Sequence, residues 1–405
     1  MKRVVYSGIE GRSLGYWGLM AVLGFFILMA AGAFLFMEHS GHHASGMNNQ
    51  IGWGMPHVFA IFLIVAASGA LNVASISSVF NQKIYKPLAR MSAILALTLL
   101  AGGLAVLVLD LGRADRLIVA MTEYNFKSIF AWNIYLYTGF FVIVLTYLWT
   151  MFDPAMHKFT RTAGTAAFLW RLALTTGTGS IFGFLSARQG YDASIMAPMF
   201  IIMSFAFGKA IFLILLIGTY RYSERSISAD LITRLKNLFG VFVAAVLYFT
   251  VVFHLTNLYA AEHGDYERFI LVDGGIFTFL FWGVQVLMGG IIPLVLIYHS
   301  AFSHNYRALI TAAVLVIIGG FAQVYGIVIG GQAFPLVLFP GKEVSSSFND
   351  GVVSSYAPTL PEVLLGLGGV ALAIALFLFA IKVLRLVPES MNLENVDRRD
   401  NGVPC

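Results

Sequence analysis

Five ionisable side chains stand near the ends of long apolar runs in this sequence. They are His57, Asp110, His254, Asp273 and Glu362. An unpaired polar group costs several kcal/mol in hydrocarbon, so an ionisable residue within a membrane segment is a functional candidate by default. A carboxylate can accept a proton and a histidine can exchange one near neutral pH. The pattern therefore predicts proton-linked chemistry at one face of a membrane protein.

Two basic residues lie deeper inside apolar runs. Lys209 is about 15 Å from the nearer end of its run, further than a lysine easily snorkels. Gln285 and Tyr248 fall at similar depth and are predicted to hydrogen-bond it, which would make a proton path. The alternative is a lysine that only holds helices together. Arg171 is about 10 Å from its end and is expected to snorkel to the interface.

The histidines also allow haem or metal to be considered. A bis-histidine haem b needs two histidines at similar depth on facing helices. His57 and His254 meet this requirement at one side, and His299 with His157 or His304 at the other. None has a ligand-specific spacing, so haem b is not favoured. The turn EHSGHH (38–43) is typical of a solvated loop, and no metal site is predicted.

Composition indicates an all-α integral membrane protein. Hydrophobic residues make up 59% of the 405 residues and charged residues 11%. Soluble domains carry about 25% charged residues. Ten apolar runs have about 20 or more residues, enough to cross a hydrocarbon core of about 30 Å. They cover 15–37, 54–79, 87–109, 129–151, 165–186, 194–219, 237–261, 273–298, 307–329 and 361–386. The fifth run is the weakest, because Arg171 and a Thr/Gly-rich stretch dilute it.

Charge predicts the orientation. With the N-terminus inside, inner segments hold 17 Lys and Arg residues and outer segments hold 6, while Arg171 and Lys209 lie within runs. This split fits the positive-inside rule, with both termini cytoplasmic. The same flanks explain a pI of about 9.2, so no nucleic-acid partner is expected. Asp and Glu are absent from the inner half of every run, so protons are predicted to exchange at the outer face without autonomous pumping.

A weak internal repeat suggests how the runs are organised. Runs 3 and 7 each end in a polar residue, Asp110 or His254, and each precedes a charged loop and an aromatic run. The two pairs share an orientation, as parallel repeats do. We expect two four-helix bundles, residues 54–186 and 194–329, flanked by runs 1 and 10. Residues 387–405 would form a cytoplasmic tail.

The single cysteine is Cys405. Iron–sulfur clusters need several thiolates, and covalent c-type haem needs a C-x-x-C-H sequence. This chain has neither. If it handles electrons, they must pass through quinone, non-covalent haem or a partner subunit.

One stretch carries a family resemblance. DLGRADRLIVAMTEYNFKSIFAWNIYL (110–136) resembles the NrfD/PsrC family of polysulfide reductase membrane subunits, whose pattern is roughly D-x-G-R-x-x-R, then N-x-x-S, then W. VYGIVIGGQAFPL (324–336) and YAPTLPEVLLGLGG (356–369) resemble the C-terminal part of the family. The ten-run length and the acidic loop after run 7 are most similar to the DsrP subunit of the Dsr sulfur-metabolism complex. The residues that match the first pattern are Asp110, Gly112, Arg113, Arg116, Asn125, Ser128 and Trp132.

The resemblance implies a quinone-reactive subunit of a respiratory complex in the bacterial inner (cytoplasmic) membrane. Such a subunit exchanges electrons between menaquinone or ubiquinone and a periplasmic ferredoxin-like iron–sulfur subunit. For a DsrP-like member, further partners would be a multihaem cytochrome c and a second membrane cytochrome with its cytoplasmic iron–sulfur subunit. The setting would be dissimilatory sulfur metabolism, and enzymatic activity would belong to the complex.

Under this interpretation the ionisable residues gain roles. Asp110 would accept the proton of a quinol, unless it forms a cap or a loop ion pair. His57 would hydrogen-bond a quinone carbonyl, unless it is an ordinary interfacial histidine. His254 would relay protons or bind haem, unless it makes only an interhelical hydrogen bond. The predicted quinone-binding residues are Trp132, Asn133, Tyr135, Arg113 and Arg116, although interfacial aromatic residues occur without any ligand.

Three other functions stay open. A membrane b-type cytochrome would use the histidine pairs. A secondary transporter would use a midplane site at Lys209 and Gln285, although matched broken helices are not evident. A purely structural anchor would have no quinone site.

Overall fold

The computed structural model describes residues 5–303, 305–336, 339, 342 and 351–389. Within these residues it has ten long helices, where the ten apolar runs predict them. The helices are α1 Leu14–Ser40, α2 Met55–Ser78, α3 Lys83–Leu109, α4 Ile129–Phe152, α5 Thr160–Gly183, α6 Met196–Tyr222, α7 Ala229–Tyr259, α8 Ile276–Tyr298, α9 Tyr306–Ala333 and α10 Leu360–Val383. Several residues of the sequence analysis lie outside the described residues. They are His304, residues 390–405 of the predicted tail with Cys405, and Lys2, Arg3, Arg398 and Arg399 of the charge count.

Nine of these described helices are long and apolar enough to cross a membrane. The exception is α5, the run that the sequence predicts to be weakest. Helix α7 begins at Ala229, eight residues before its apolar run at 237, because the polar first turns carry an Asp230–Arg234 ion pair of 2.9 Å. A polar helix end of this kind gives no hydropathy signal.

Helix α2 lies at the centre of the packing. Of its apolar window 89% is buried, against 17% for α1 and 22% for α8, which expose large apolar side chains. It contacts α3, α5, α6, α9 and α10. At the crossing with α6, Gly69 and Gly208 bring the two backbones into contact, and a Cβ at either position would collide with the other helix. Close crossings of membrane helices through small residues are common.

The remaining helices pack around this centre. Helix α3 contacts α2 and α4, and α5 contacts α2 and α4, while α6 contacts α7 and α9, and α8 contacts α7 and α9. Helix α10 packs between α1, α2 and α3. We propose from these contacts that the two four-helix groups expected at 54–186 and 194–329 are real units joined along α2 and α6.

The segments near both chain ends meet at one end of the helical body. Strand β1, Tyr6–Ser7, pairs antiparallel with β2, Val387–Pro388. The opposite end contains the starts of α2, α6 and α10 and the ends of α3, α7 and α9; we call it the His57 end. The site described below lies there.

Candidate functional site

His57 and Asp110 meet at the His57 end. Asp110 caps the end of α3, and His57 lies in the first turn of α2. His57 Nδ1 lies 2.9 Å from Asp110 Oδ2. The distance is that of an ion pair, but the angles do not meet hydrogen-bond geometry, and Asp110 Oδ1 also has no hydrogen-bond partner among the described residues. Asp110 is only 4% exposed, so this carboxylate is poised to take a proton or a ligand hydroxyl.

Trp53 is the aromatic neighbour of this pair. Its ring lies 6.4 Å from the His57 ring at an interplanar angle of 28°. Phe130, Phe182 and Tyr191 surround the indole at centroid distances of 5.8, 5.9 and 6.4 Å. Sequence reasoning missed Trp53, although its position four residues before His57 is a usable signal. Trp53 therefore links His57 to a cluster of aromatic rings.

Gln332 at the end of α9 fixes the segment that carries Trp53. Its Oε1 accepts hydrogen bonds from the backbone N–H groups of Gly52 and Trp53, each at 3.0 Å. Its Nε2 donates to the Trp53 carbonyl at 3.0 Å. The second half of the chain thus holds the entrance of α2 in place.

Glu362 is a buried structural anchor. It is 0% exposed and accepts hydrogen bonds from the backbone of Gly46 at 2.9 Å and of Thr359 at 2.8 Å. The Tyr356 hydroxyl donates to Glu362 at 2.8 Å and accepts from the Met55 backbone at 2.6 Å. Burial, and then the charge of Glu362, raise the pKa of Tyr356. These bonds join the start of α10 to the start of α2, so every Glu362 contact serves the fold.

The D-x-G-R segment after Asp110 turns sharply. Gly112 adopts φ +67°, which disfavours any residue with a Cβ, and the His42 ring lies against it. Arg113 pairs with Asp115 at 3.0 Å rather than with Asp110. The hydrogen bond from Arg113 lowers the pKa of Asp115. Asp110 is therefore not held by a loop arginine, and the role of exposed Arg113 and Arg116 in quinone binding stays a prediction.

The three predicted residues of α4 do not share one face. Asn133 is 2% exposed and donates to the backbone of Ile129 and Gly177 at 2.9 and 3.1 Å. Trp132 and Tyr135 are 42% and 39% exposed, and their N–H and O–H groups donate to backbone carbonyls of the preceding loop. The structure does not gather them into one ring-binding surface. Asn133 joins α4 to α5, and the two aromatic side chains anchor the loop.

His254 is part of a second ionisable pair. Its Nδ1 lies 2.6 Å from Oε2 of Glu267, and Asn257 Nδ2 donates to Oε1 at 2.8 Å. Glu267 is 0% exposed and lies in the short helix Gly264–Arg268 after α7. Sequence reasoning missed Glu267, because it stands in a highly charged loop that is typical of solvent exposure. By contrast, Asp273 forms an exposed pair with Arg268.

The structure corrects the hydrogen bonds that were expected for Lys209. Lys209 is 1% exposed and its Nζ has no hydrogen-bond partner among the described residues. Tyr248 is 64% exposed, because α7 directs it away from the helical interior, and Gln285 lines a cavity beside His254. The hydrogen bonds predicted from Tyr248 and Gln285 to Lys209 are not formed. A proton path through these residues stays only a prediction.

Arg171 does not snorkel as expected. It is 1% exposed, and its guanidinium donates to the Ser68 carbonyl at 3.2 Å. Its Cζ lies 5.1 and 5.0 Å from the ring centroids of Phe168 and Phe205. Cation–π contacts and a backbone acceptor hold the charge inside the protein, so it need not reach the interface.

The other histidines show no metal cluster. No group of three or more His, Cys, Asp or Glu side chains that could hold a metal occurs in the part of the chain that the structure describes. His157 Nε2 lies 3.3 Å from the Met151 carbonyl, and His299 Nδ1 accepts from the Ala301 backbone. The haem alternative stays an untested prediction.

Comparison with known proteins defines the family. The family model for polysulphide reductase, NrfD, matches residues 43–336. The chain belongs to the NrfD family. The resemblance seen in the sequence at 110–136 is thereby confirmed.

Several curated relatives match over nearly the whole chain. An Hdr-like menaquinol oxidoreductase integral membrane subunit of Archaeoglobus fulgidus is 29% identical, covering 95% of this chain and 97% of the relative. A putative dimethyl sulfoxide reductase membrane subunit of Halobacterium salinarum is 22% identical, covering 95% and 94%. A selenate reductase subunit of Mesobacillus selenatarsenatis is 22% identical, covering 89% and 92%. The NrfD-family chain is thus similar to membrane subunits of oxidoreductases.

Proposed function

We propose that this NrfD-family chain is the quinone-interacting membrane subunit of an electron-transfer complex. The observation that carries the proposal is the nearly buried Asp110 carboxylate with His57 at 2.9 Å and the Trp53 ring beside His57. A menaquinol oxidoreductase subunit among its relatives supports quinone as the substrate class. A quinone ring packs on apolar surfaces and bonds polar groups through its oxygens, and Trp53, His57 and Asp110 are groups of these two kinds.

The chemistry follows from the two side chains. In quinol oxidation, Asp110 accepts a proton from one quinol hydroxyl, and His57 shares that proton through its Nδ1. The second hydroxyl loses its proton to the same pair after the first proton has left to the outer face, and the two electrons pass to an iron–sulfur partner subunit, which leaves quinone. Quinone reduction is the reverse, with the same residues donating the protons. Trp53 supplies a flat apolar surface beside His57.

The same proposal covers the orientation, the location and the partners of the chain. We place the His57 end at the outer face of a bacterial inner membrane, with cytoplasmic termini, and we propose that protons exchange at that face. The excess of Lys and Arg in the inner segments supports this orientation. We also propose a DsrP-like role in sulfur metabolism, with a ferredoxin-like subunit, a multihaem cytochrome c and a second membrane cytochrome as partners. Copurification followed by cofactor analysis tests these partners.

Quinol turnover by the purified complex tests the site. Asp110→Asn keeps the size of the side chain but removes the proton acceptor, so turnover should fall by about 100-fold. Glu123→Gln is the matched control, because Glu123 is an exposed carboxylate of the following loop. Equal turnover of Asp110→Asn and wild type would reject Asp110 as the proton acceptor. A reduced-minus-oxidised spectrum of the purified chain tests the b-type cytochrome alternative.

A further inference from the structure

A cavity that is partly open to the surface lies beside His254 in the second half of the chain. Its polar lining comes from His254, Thr250, Tyr266, Gln285 and Gln323, and the rest of the lining is apolar. Known small-molecule sites have mostly apolar walls and a few polar groups. The cavity has the lining of a ligand site.

A second, smaller space adjoins it. Thr250, Gln285 and Gln323 line both spaces, and the second one continues between the glycine pairs of α8 and α9. A ligand with a ring at His254 therefore meets an apolar lining in the direction of the second space. The lining suits an amphipathic molecule better than a small ion.

Three π-helical segments line this cavity. They are Phe269–Asp273, Leu280–Ile291 and Gly326–Gly330, which contribute Ile270, Gln285 and Gly326 among other residues. They are all the π-helical segments in the part of the chain that the structure describes. π-Helical turns are rare and occur frequently at functional sites. Their convergence on one cavity is a second, independent sign of a binding site.

The polar groups of the cavity are held ready for a ligand. Glu267 engages His254 Nδ1 at 2.6 Å, so Nε2 is the ring nitrogen left to bond a ligand. Glu267 is itself fixed by Asn257. The Gln285 side chain has no hydrogen bond within the described residues, whereas Gln323 Nε2 donates to Thr250 at 3.4 Å. An acyl chain would leave His254 and Gln285 without partners, which is unfavourable in an apolar site.

We propose that this cavity is a second quinone-binding site, in which His254 and Gln285 bond the two ring oxygens. The site is separate from Asp110, and the proposal rests on the proposed function only in its choice of quinone as ligand class. Glu267 positions the His254 ring by accepting from Nδ1, so Nε2 accepts from a quinol hydroxyl and, when the imidazole is protonated, donates to a quinone oxygen. The chain would then bind two quinone rings, one in each four-helix group.

Cavity filling gives a direct test. Gly326 lines the cavity, and a Cβ added there would meet no heavy atom within 4 Å. Gly326→Leu should therefore fill the space without a backbone collision. Gly218→Leu is the matched control, because Gly218 is an exposed glycine of α6 with the same open surroundings and no contact with the cavity.

The probe is a fluorescent hydroxyquinoline N-oxide, a quinone analogue, titrated into the full chain in lipid nanodiscs. Two sites per chain are expected for wild type and for Gly218→Leu. Gly326→Leu and His254→Phe should each weaken one site by about tenfold or more, corresponding to about 1.4 kcal/mol. Native mass spectrometry of the same samples reports whether a phospholipid occupies the cavity.

Asp110→Asn separates this proposal from the function proposed above. If Gly326→Leu and His254→Phe leave binding unchanged while Asp110→Asn removes it, the second site is rejected and the first one stands. If Asp110→Asn leaves binding unchanged while both cavity variants weaken it, the second site stands alone. Retention of a phospholipid that the analogue does not displace would also overturn the proposal.

Discussion

The His57 ring and the Asp110 carboxylate come from different helices but approach to 2.9 Å where α2 begins and α3 ends. The two residues are 53 positions apart in the chain, so only the packing of α2 on α3 brings them together. This pair is expected to work as a unit. Its behaviour in double variants is the most direct measure of that coupling.

We predict that His57→Gln and Asp110→Asn have non-additive effects on quinol turnover. Residues that share one proton lose that function when either is removed, so the double variant should be only as slow as the slower single variant. Turnover of the two single variants and the double variant completes the cycle. Multiplying losses would mean that the two side chains act independently.

We predict that Trp53→Leu weakens binding of a quinone analogue at the Asp110 site by about tenfold, because the indole is the flat surface beside His57. Trp149→Leu is the control, since Trp149 is 56% exposed on α4. Equilibrium titration measures both. An unchanged affinity in Trp53→Leu would place the ring elsewhere.

We predict that Gly112→Ala destabilises the protein by about 1–2 kcal/mol, because φ +67° is unfavourable for a residue with a Cβ. The new methyl group would also meet the His42 ring. Adding His42→Ala should recover part of the loss but not the backbone part. Thermal unfolding of the single and double variants tests this, and complete recovery would show that the ring contact alone matters.

We predict that Tyr356→Phe lowers the free energy of unfolding by about 1–3 kcal/mol, because the Met55 N–H and a Glu362 oxygen lose a buried partner. Tyr259→Phe, at a position that is 95% exposed, should have little effect. Thermal unfolding at neutral pH compares the two variants. Equal melting temperatures would show that the Tyr356 hydroxyl does not stabilise the fold.

The same hydroxyl gives a pH dependence. Burial, and then Glu362, raise the pKa of Tyr356 above that of an unfolded tyrosine, which is about 10. Above that pH the unfolded chain loses this proton while the folded chain keeps it, so stability falls as pH rises. The free energy of unfolding should fall less steeply with pH in Tyr356→Phe than in wild type. The two slopes, measured between about pH 10 and 11, should differ by the equivalent of about one proton.

We predict that Lys209→Met leaves quinol turnover and proton release at the outer face unchanged. Lys209 is buried without a hydrogen-bond partner among the described residues, so its removal should be neutral or stabilising. In proteoliposomes, quinone absorbance measures turnover and a trapped pH dye measures proton movement. Lost proton translocation with intact quinone turnover would overturn the prediction that the chain does not pump protons.

The helices could be predicted because a membrane span needs a long apolar run, which is visible in one sequence. Asp110, His57 and His254 could be found for the complementary reason that ionisable groups at such positions are rare. Glu267 could not be found from the sequence, because its loop is as highly charged as loops exposed to solvent. Its burial depends on the packing of α7 against the short helix that follows. The π-helical segments likewise leave no local pattern, because neighbouring helices decide them.

Arg171 shows the limit of depth arguments. Its distance from the helix end predicted snorkelling, but the rings of Phe168 and Phe205 and the Ser68 carbonyl receive the charge inside the protein. A single sequence gives the depth of a residue along a helix but not which neighbours it faces. The expected contacts of Lys209 were wrong for the same reason.

The enclosure of α2 has a consequence for biosynthesis. Its neighbours α6, α9 and α10 are made after it, so α2 enters the bilayer before most of the surfaces that cover it exist. Until then α3 and α5 are the neighbours present, and Ser68 finds its hydrogen-bond partner, Arg171, on α5. The newly inserted chain must therefore keep the remaining faces of α2 accessible until α6, α9 and α10 arrive.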